Sequence, residues 1–290
     1  MSGALLRALT SGASALLRVI VVSAGAAGGA GAEHLPLWEA GLGATVISFP
    51  DYRGSDERRA WILPFPYVVY RGEFLQANEK RVRGLFFKTE RAELDISVSG
   101  TPPVDSNENE ARRGMPDLDA TLEIGPSLNF LLARSDDRKT RLELRLPVRA
   151  VLATDFTHLD FAGWVFQPNL NLDVRDAFGH AGWNFGVLAG PMFSDGRYNQ
   201  YFYGVVPAFA NATRPAYNAA GGYAGTQLLT SLSKRFRQYW VGGFARWDTL
   251  NNAVFSDSPL VRTNHSFAAG VAVAWILGES KVHVEVNSMP

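Results

Sequence analysis

The sequence has no cysteine among its 290 residues, which excludes a disulfide framework, a thiolate-ligated metal and a cysteine nucleophile. It has no excess of either charge: 28 basic side chains balance 28 acidic ones, so no broad field draws the protein toward nucleic acid. Beyond the first 32 positions it has no run of ~18 uncharged apolar residues, so no membrane-spanning helix is expected. Charged residues make up only 19%, against 12% aromatic residues and 28 glycines. A disordered chain would carry more charge and fewer aromatics, whereas an all-β protein, soluble or membrane-embedded, fits this balance.

What is present begins with an address. Residues 1–32 hold only Arg7 and Arg18 as charged side chains, then an apolar run from Val19 to Ala27, and they end on Ala30-Gly31-Ala32. The apolar block and the Ala-x-Ala site lie together, which reads as a cleaved secretory signal peptide rather than a mitochondrial presequence. The expected organisation is a signal peptide over 1–32 and one domain over 33–290.

A period of two runs through that domain. From Arg141 to Val151, Leu142, Leu144, Leu146, Val148 and Ala150 share one face, and Arg141, Glu143, Arg145 and Arg149 share the other. Only an extended strand separates them so cleanly. Trp164 to Arg175 repeats the pattern, with Leu170, Leu172 and Val174 against Asn169, Asn171, Asp173 and Arg175. Weaker copies cover Ala92–Ser99 and Leu122–Leu132. Further strands are expected over Leu37–Phe49, Trp61–Tyr70, Phe74–Lys88, Gly182–Phe193, Gly222–Leu232, Gln238–Trp247, His265–Ile276 and Lys281–Val286. Short connections such as Ser135–Lys139 alternate with long ones such as Gly100–Asp117 and Ser194–Gly221, as in a meander with two unlike ends.

Periodicity alone does not say whether the apolar stripes face a core or lipid. The export signal, the strand lengths and aromatics near strand ends (Trp38, Trp61, Tyr70, Trp164, Trp183, Tyr239, Trp240, Trp247, Trp275) together favour lipid. The expected fold is therefore all-β, an antiparallel up-and-down transmembrane β-barrel of twelve strands, or ten if Phe74–Lys88 crosses only once. Its inward face would carry Glu123, Arg141, Glu143, Arg145, Arg149, Asp173 and Arg175. Those charges either pair into a plug or line a selective passage.

The candidates for chemistry are few. His265 and Ser266 with Asp248 or Asp257 resemble parts of a hydrolase triad, but neighbours on a strand point to opposite faces. The remaining histidines are scattered without metal-ligand spacing, and no catalytic, cofactor-binding or metal-binding residue is expected. Among loop residues, Asp51, Tyr52 and Arg53 either shape a turn or fold into the mouth to meet a ligand. Asp105–Glu110 suits a divalent ion or, with Arg112 and Arg113, lipopolysaccharide, against a plain solvated loop. Ser194–Gly221 carries Tyr198, Tyr201 and Tyr203, suggesting a constriction, lid or contact patch, against core packing within the loop itself.

Several segments also resemble a known group in order and spacing. They are Leu37-Trp38-Glu39-Ala40-Gly41-Leu42-Gly43, Pro50-Asp51-Tyr52-Arg53-Gly54-Ser55, Pro64-Phe65-Pro66-Tyr67, Arg112 to Leu118, Tyr201-Phe202-Tyr203-Gly204-Val205, Tyr217 to Gly222 and Ser256 to Val261. Across essentially the whole mature chain the sequence is similar to the MltA-interacting protein family (MipA/OmpV) of outer-membrane proteins. The resemblance implies a non-enzymatic barrel in the Gram-negative outer membrane, in contact with lipid and lipopolysaccharide. It also implies a scaffold joining a lytic transglycosylase to a penicillin-binding synthase, or a porin-like channel for small solutes. One departure is the ending Val286-Asn287-Ser288-Met289-Pro290, which lacks the terminal aromatic common to such barrels.

Overall fold

The computed structural model describes residues 33–71, 75–78, 81–84, 87–89, 91–155 and 157–286. The signal peptide expected over 1–32 lies outside the described residues. The strands are β1 (Glu33–Pro36), β2 (Trp38–Pro50), β3 (Arg58–Arg71), β4 (Leu75–Asn78), β5 (Arg81–Gly84), β6 (Phe87–Lys88), β7 (Ala92–Thr101) and β8 (Ala120–Arg134). There follow β9 (Thr140–Thr154), β10 (Leu159–Phe166), β11 (Asn169–Arg175), β12 (Trp183–Ser194), β13 (Gly222–Arg235), β14 (Tyr239–Thr249), β15 (His265–Glu279) and β16 (His283–Val286). Among the described residues one α-helix, α1 (Gly196–Tyr203), lies between β12 and β13.

Pairing is antiparallel throughout and follows chain order, and β15 returns to pair with β2 from Glu279 opposite Glu39 to Ala269 opposite Ser48. The two ends of the main sheet are β5 and β6, two pieces of one stretch of chain, with β5 beside β4 and β6 beside β7. Curvature brings Tyr67 of β3 to Trp240 of β14, ring centroids 6.4 Å apart, although β2 and β15 separate them in the sheet. The result is an up-and-down barrel, and the described part of Phe74–Lys88 forms an added hairpin, β4 against β5.

Side-chain burial decides which face is which. Ile62 is 77% exposed and Leu277 70%, whereas Glu143 is 1% exposed. Apolar residues outside and carboxylates inside invert the soluble pattern, and such a surface is stable only when the outside is hydrocarbon. Leu42, Val46, Val68, Val98, Leu132, Leu170 and Val271 extend this exposed belt around the sheet.

Three expectations are corrected by the fold. Trp164–Arg175 is not one unbroken strand: Gln167 N still donates to Pro147 O at 3.2 Å, but Pro168 has no N–H to give the ladder and separates β10 from β11. Register against β9 is nonetheless kept, with Phe166 opposite Val148 and Asn169 opposite Arg145, so β10 and β11 make a single pass. Lys281–Val286 does not cross; β16 pairs with β1 in a separate two-stranded ribbon. Trp240 does not join the outward aromatics, since its place in the alternation of β14 turns it inward, where it is fully buried.

Candidate functional site

The lumen holds polar side chains at three levels. Nearest the short turns, Arg235 Nε lies 3.1 Å from Glu39 Oε2, and the Tyr67 hydroxyl donates to the same oxygen at 3.4 Å. Above it, Glu143 sits between Arg141 and Arg145, with Arg145 Nη2 2.6 Å from its Oε2. Arg145 also approaches Asp173 at 3.5 Å, and Asp173 accepts from Asn171 Nδ2 at 2.7 Å.

At the third level Arg149 donates in three directions. Its Nε reaches Glu123 Oε2 at 2.8 Å, Nη1 reaches Ser97 Oγ at 3.2 Å, and Nη2 reaches Gln167 Oε1 at 2.8 Å. Gln167 donates onward to Gln227, completing a bar from β7 to β13. A cavity of about 200 Å³ lies on one side of this bar and one of about 170 Å³ on the other, and Arg149, Gln167 and Gln227 line both. The sequence-expected inward residues Glu123, Arg141, Glu143, Arg145, Arg149 and Asp173 are thus all in the lumen, and Arg175 lies half-buried at the inner end of β11. Opposite charges at this spacing neutralise one another locally, so the interior carries paired rather than unpaired charge. Alternation along their strands already assigns Ser97 and Gln167 to polar faces, whereas Gln227 carries no signal of its own in the sequence.

Toward the long loops the inward face changes character. On β9 the inward series Arg141, Glu143, Arg145, Arg149 continues as Val151 and Ala153, and β10 contributes Ala162 and Val165. Against these packs a cap built from the loops after β2, β7, β12 and β14. Asp195 N-caps α1 by accepting from Tyr198 N at 2.8 Å. Gly163 leaves room for that turn: its φ is +121°, and a Cβ there would sit 2.6 Å from Tyr198 N.

The cap core is aromatic. Tyr203 stacks on Phe255 with centroids 3.7 Å apart, and Tyr52 meets Tyr203 edge-on at 6.3 Å. Two buried hydroxyls find carbonyls: Tyr52 donates to Leu260 O at 2.8 Å and Tyr203 to Arg53 O at 2.9 Å. Burial raises the Tyr52, Tyr198 and Tyr203 phenols well above their ordinary range, and that of Tyr201 is pushed up to about 12. Arg53 pairs with Asp248 at 3.2 Å, and Asp51 takes Arg59 at 2.9 Å and Asn109 Nδ2 at 2.9 Å. All six sequence-expected loop residues, Asp51, Tyr52, Arg53, Tyr198, Tyr201 and Tyr203, therefore converge on one cap.

Other polar side chains complete it. Arg112 is buried and donates to Phe202 O at 3.2 Å and Pro116 O at 3.1 Å, so it is not displayed toward lipopolysaccharide. Ser106 and Asn109 are likewise buried, whereas Asp105, Asn107, Glu108 and Glu110 are exposed, so Asp105–Glu110 is a solvated stretch pinned to the cap by two side chains. Asn199 joins Ser194 to Ala220 O, and Arg214 joins Phe209 O to Ala111 O and Arg113 O. The aromatic density of Ser194–Gly221 and the reading of Asp51, Tyr52 and Arg53 as folding into the mouth are the signals of this core in the sequence. The triad residues do not assemble: Ser266 Oγ faces inward and accepts from Gly54 N at 3.3 Å, whereas the His265 ring stacks on Trp247 at 5.7 Å. Among the described residues no cluster of His, Asp or Glu has metal-holding geometry.

A curved antiparallel sheet with an apolar exterior, a charge-paired interior and a folded cap over one mouth defines a β-barrel of the outer-membrane class. The family model of the MltA-interacting protein MipA matches residues 42–277, and the chain belongs to that family. It is accordingly an outer-membrane protein of Gram-negative bacteria. Among curated proteins, no relative matches the sequence. Solved structures similar to it include a bacterial polysaccharide outer membrane secretin, at 8% identity over 83% of this chain and 99% of that one, TM-score 0.42. The NanC porin aligns at 9% identity over 83% and 100%, TM-score 0.33, and a Pseudomonas aeruginosa FadL homologue at 9% over 74% and 60%, TM-score 0.29. The assignment rests on the family match and the inverted burial, not on these distant similarities.

Proposed function

We propose that the protein is a non-enzymatic barrel, exported by way of a signal peptide cleaved after Ala32, that serves in the outer membrane as an interaction scaffold for murein-remodelling proteins. The observation that supports this reading is the state of the lumen: charge pairs fill it at three levels and a folded cap covers its mouth. A barrel so filled has its surfaces, not its interior, to offer partners. The family name points to a lytic transglycosylase as one partner, and the resemblance adds a penicillin-binding synthase. Membrane lipid covers the apolar belt, and lipopolysaccharide meets the rim at the long-loop end. Cross-linked envelopes provide the test. Recovery of a lytic transglycosylase with the affinity-tagged barrel is the expected outcome, and its consistent absence under complex-preserving conditions would count against the scaffold.

A second reading, a channel for small solutes, draws on the two cavities lying in series on either side of the Arg149 bar. Planar-bilayer recordings of the refolded protein separate the two readings: the scaffold predicts a silent bilayer, the channel resolved conductance steps. A rim hydrolase is least supported; an Ser266→Ala, His265→Ala variant that retained any detected hydrolysis would remove it.

A further inference from the structure

At the short-turn end, the outward faces of β12, β13 and β14 carry a cation without a carboxylate. Trp183 lies opposite Lys234 in register, and alternation along β13 puts Lys234 on the same lipid-facing side as the exposed Leu228 and Leu232. The Lys234 ammonium sits 5.6 Å from the Trp183 ring centroid and 5.3 Å from that of Phe236. Phe236 is itself braced by Tyr239, their rings stacked 4.5 Å apart. Lys139, on a neighbouring turn, is different: its Nζ is 2.8 Å from Asp176 Oδ2. Among the described residues no acidic side chain lies within ion-pair distance of Lys234.

Physical chemistry narrows what such a group can bind. A lysine on the outward face is costly at the bilayer centre and nearly free at the interface, so its place in the last turn-ward pair of the β12–β13 ladder, opposite Trp183, sets its depth at the headgroups. Two aromatic faces hold the ammonium in place and displace part of its water, while leaving its positive charge uncancelled. Arg237 adds a second exposed cation in the same turn. The anion available at that depth is a phosphodiester, and basic sites at this level of a membrane protein take anionic headgroups.

We propose that Lys234, cradled by Trp183 and Phe236, binds the phosphate of an anionic phospholipid in the leaflet at the short-turn end. This site is independent of the scaffold reading. Native mass spectrometry of the detergent-extracted barrel, supplied in turn with phosphatidylglycerol and phosphatidylcholine, tests it. Retention of phosphatidylglycerol over phosphatidylcholine is expected, falling about fivefold in Lys234→Gln, the share of one cation at a membrane surface. Lys139→Gln, whose cation is already paired, leaves retention unchanged, and Lys234→Arg restores it, so the result does not hang on one variant's folding. Heat-modifiable migration of each variant confirms a folded barrel. Equal retention by Lys234→Gln and the parent, equal retention of both lipids, or displacement of lipid by excess inorganic phosphate that itself binds the lipid-free protein would each overturn the proposal.

Discussion

In the lumen, Glu143 is buried between Arg141 and Arg145; in the cap, Tyr203 is buried as completely between Phe255 and Tyr52. Both regions bury polar groups, but the lumen does so with charge pairs beside two cavities, and the aromatic centre of the cap with the Tyr52 and Tyr203 hydroxyls, each donating to a carbonyl, while the Arg53–Asp248 and Asp51–Arg59 pairs stand around it. A charge pair is unforgiving, since losing one partner leaves the other buried and uncompensated. A phenol fails more gently, because its ring area and its hydrogen bond can be removed separately. The two regions meet on single strands, where Arg149 of β9 gives way to Val151 two residues on.

The sharpest test of the contrast lies at Glu143. Glu143→Ala would take from Arg141 and Arg145 the carboxylate they share, leaving Arg145 to Asp173 at 3.5 Å and Arg141 to Glu93 at 4.0 Å, and cost about 3 kcal/mol, read as a lower urea midpoint for loss of the heat-modifiable form in lipid. Glu143→Gln should cost less, because it keeps an acceptor between the arginines. An unchanged midpoint in both variants would mean that the interior pairs are solvated, and the contrast with the cap would collapse.

Next comes Tyr203. Tyr203→Ala removes a stacked ring and should cost about 3 kcal/mol, confined to the cap. Hydrogen exchange should speed up in α1 and in the 250–264 loop while the barrel keeps its heat-modifiable migration. Tyr203→Phe removes only the bond to Arg53 O and should cost about 1 kcal/mol.

The smallest effect is one of pH. An exposed phenol ionises near 10.0, whereas Tyr201 in the closed cap is pushed up to about 12, chiefly by burial. Its contribution to closure is fully present below pH 10 and is lost as pH rises from there toward 12. Tyrosinate absorbance should therefore lag a free-tyrosine control over that interval, and protease cutting of the long loops should begin only within it. Cap opening near neutrality would contradict this.

Much of the lumen was legible in the sequence, because Arg141, Glu143, Arg145 and Arg149 alternate with leucine and valine. Which partner each takes was not. Glu123 lies opposite Val151 in register, yet its carboxylate meets Arg149, a diagonal neighbour that only the paired strands reveal. The adjacent residues Tyr239 and Trp240 looked alike as interfacial aromatics, and the pleat turned one out and the other in. In the cap, Asn199 and Arg214 read as ordinary polar loop residues, and Asn109 and Arg112 as parts of an outward-facing loop. Asn109 reaches Asp51 and Ser55, Arg112 reaches Phe202 O and Arg214 reaches Ala111 O and Arg113 O, all on other loops, while Asn199 reaches Ala220 O 21 positions on, so no local pattern could mark them.

The sequence by itself determined which side chains share a face, because alternation belongs to the extended backbone and needs no partner. Curvature, the level at which the bar crosses the lumen and the closing of the mouth belong to tertiary structure alone. They depend on meetings such as Tyr52 with Leu260, 208 positions apart, which the chain can make only after the sheet has bent and brought its loops together.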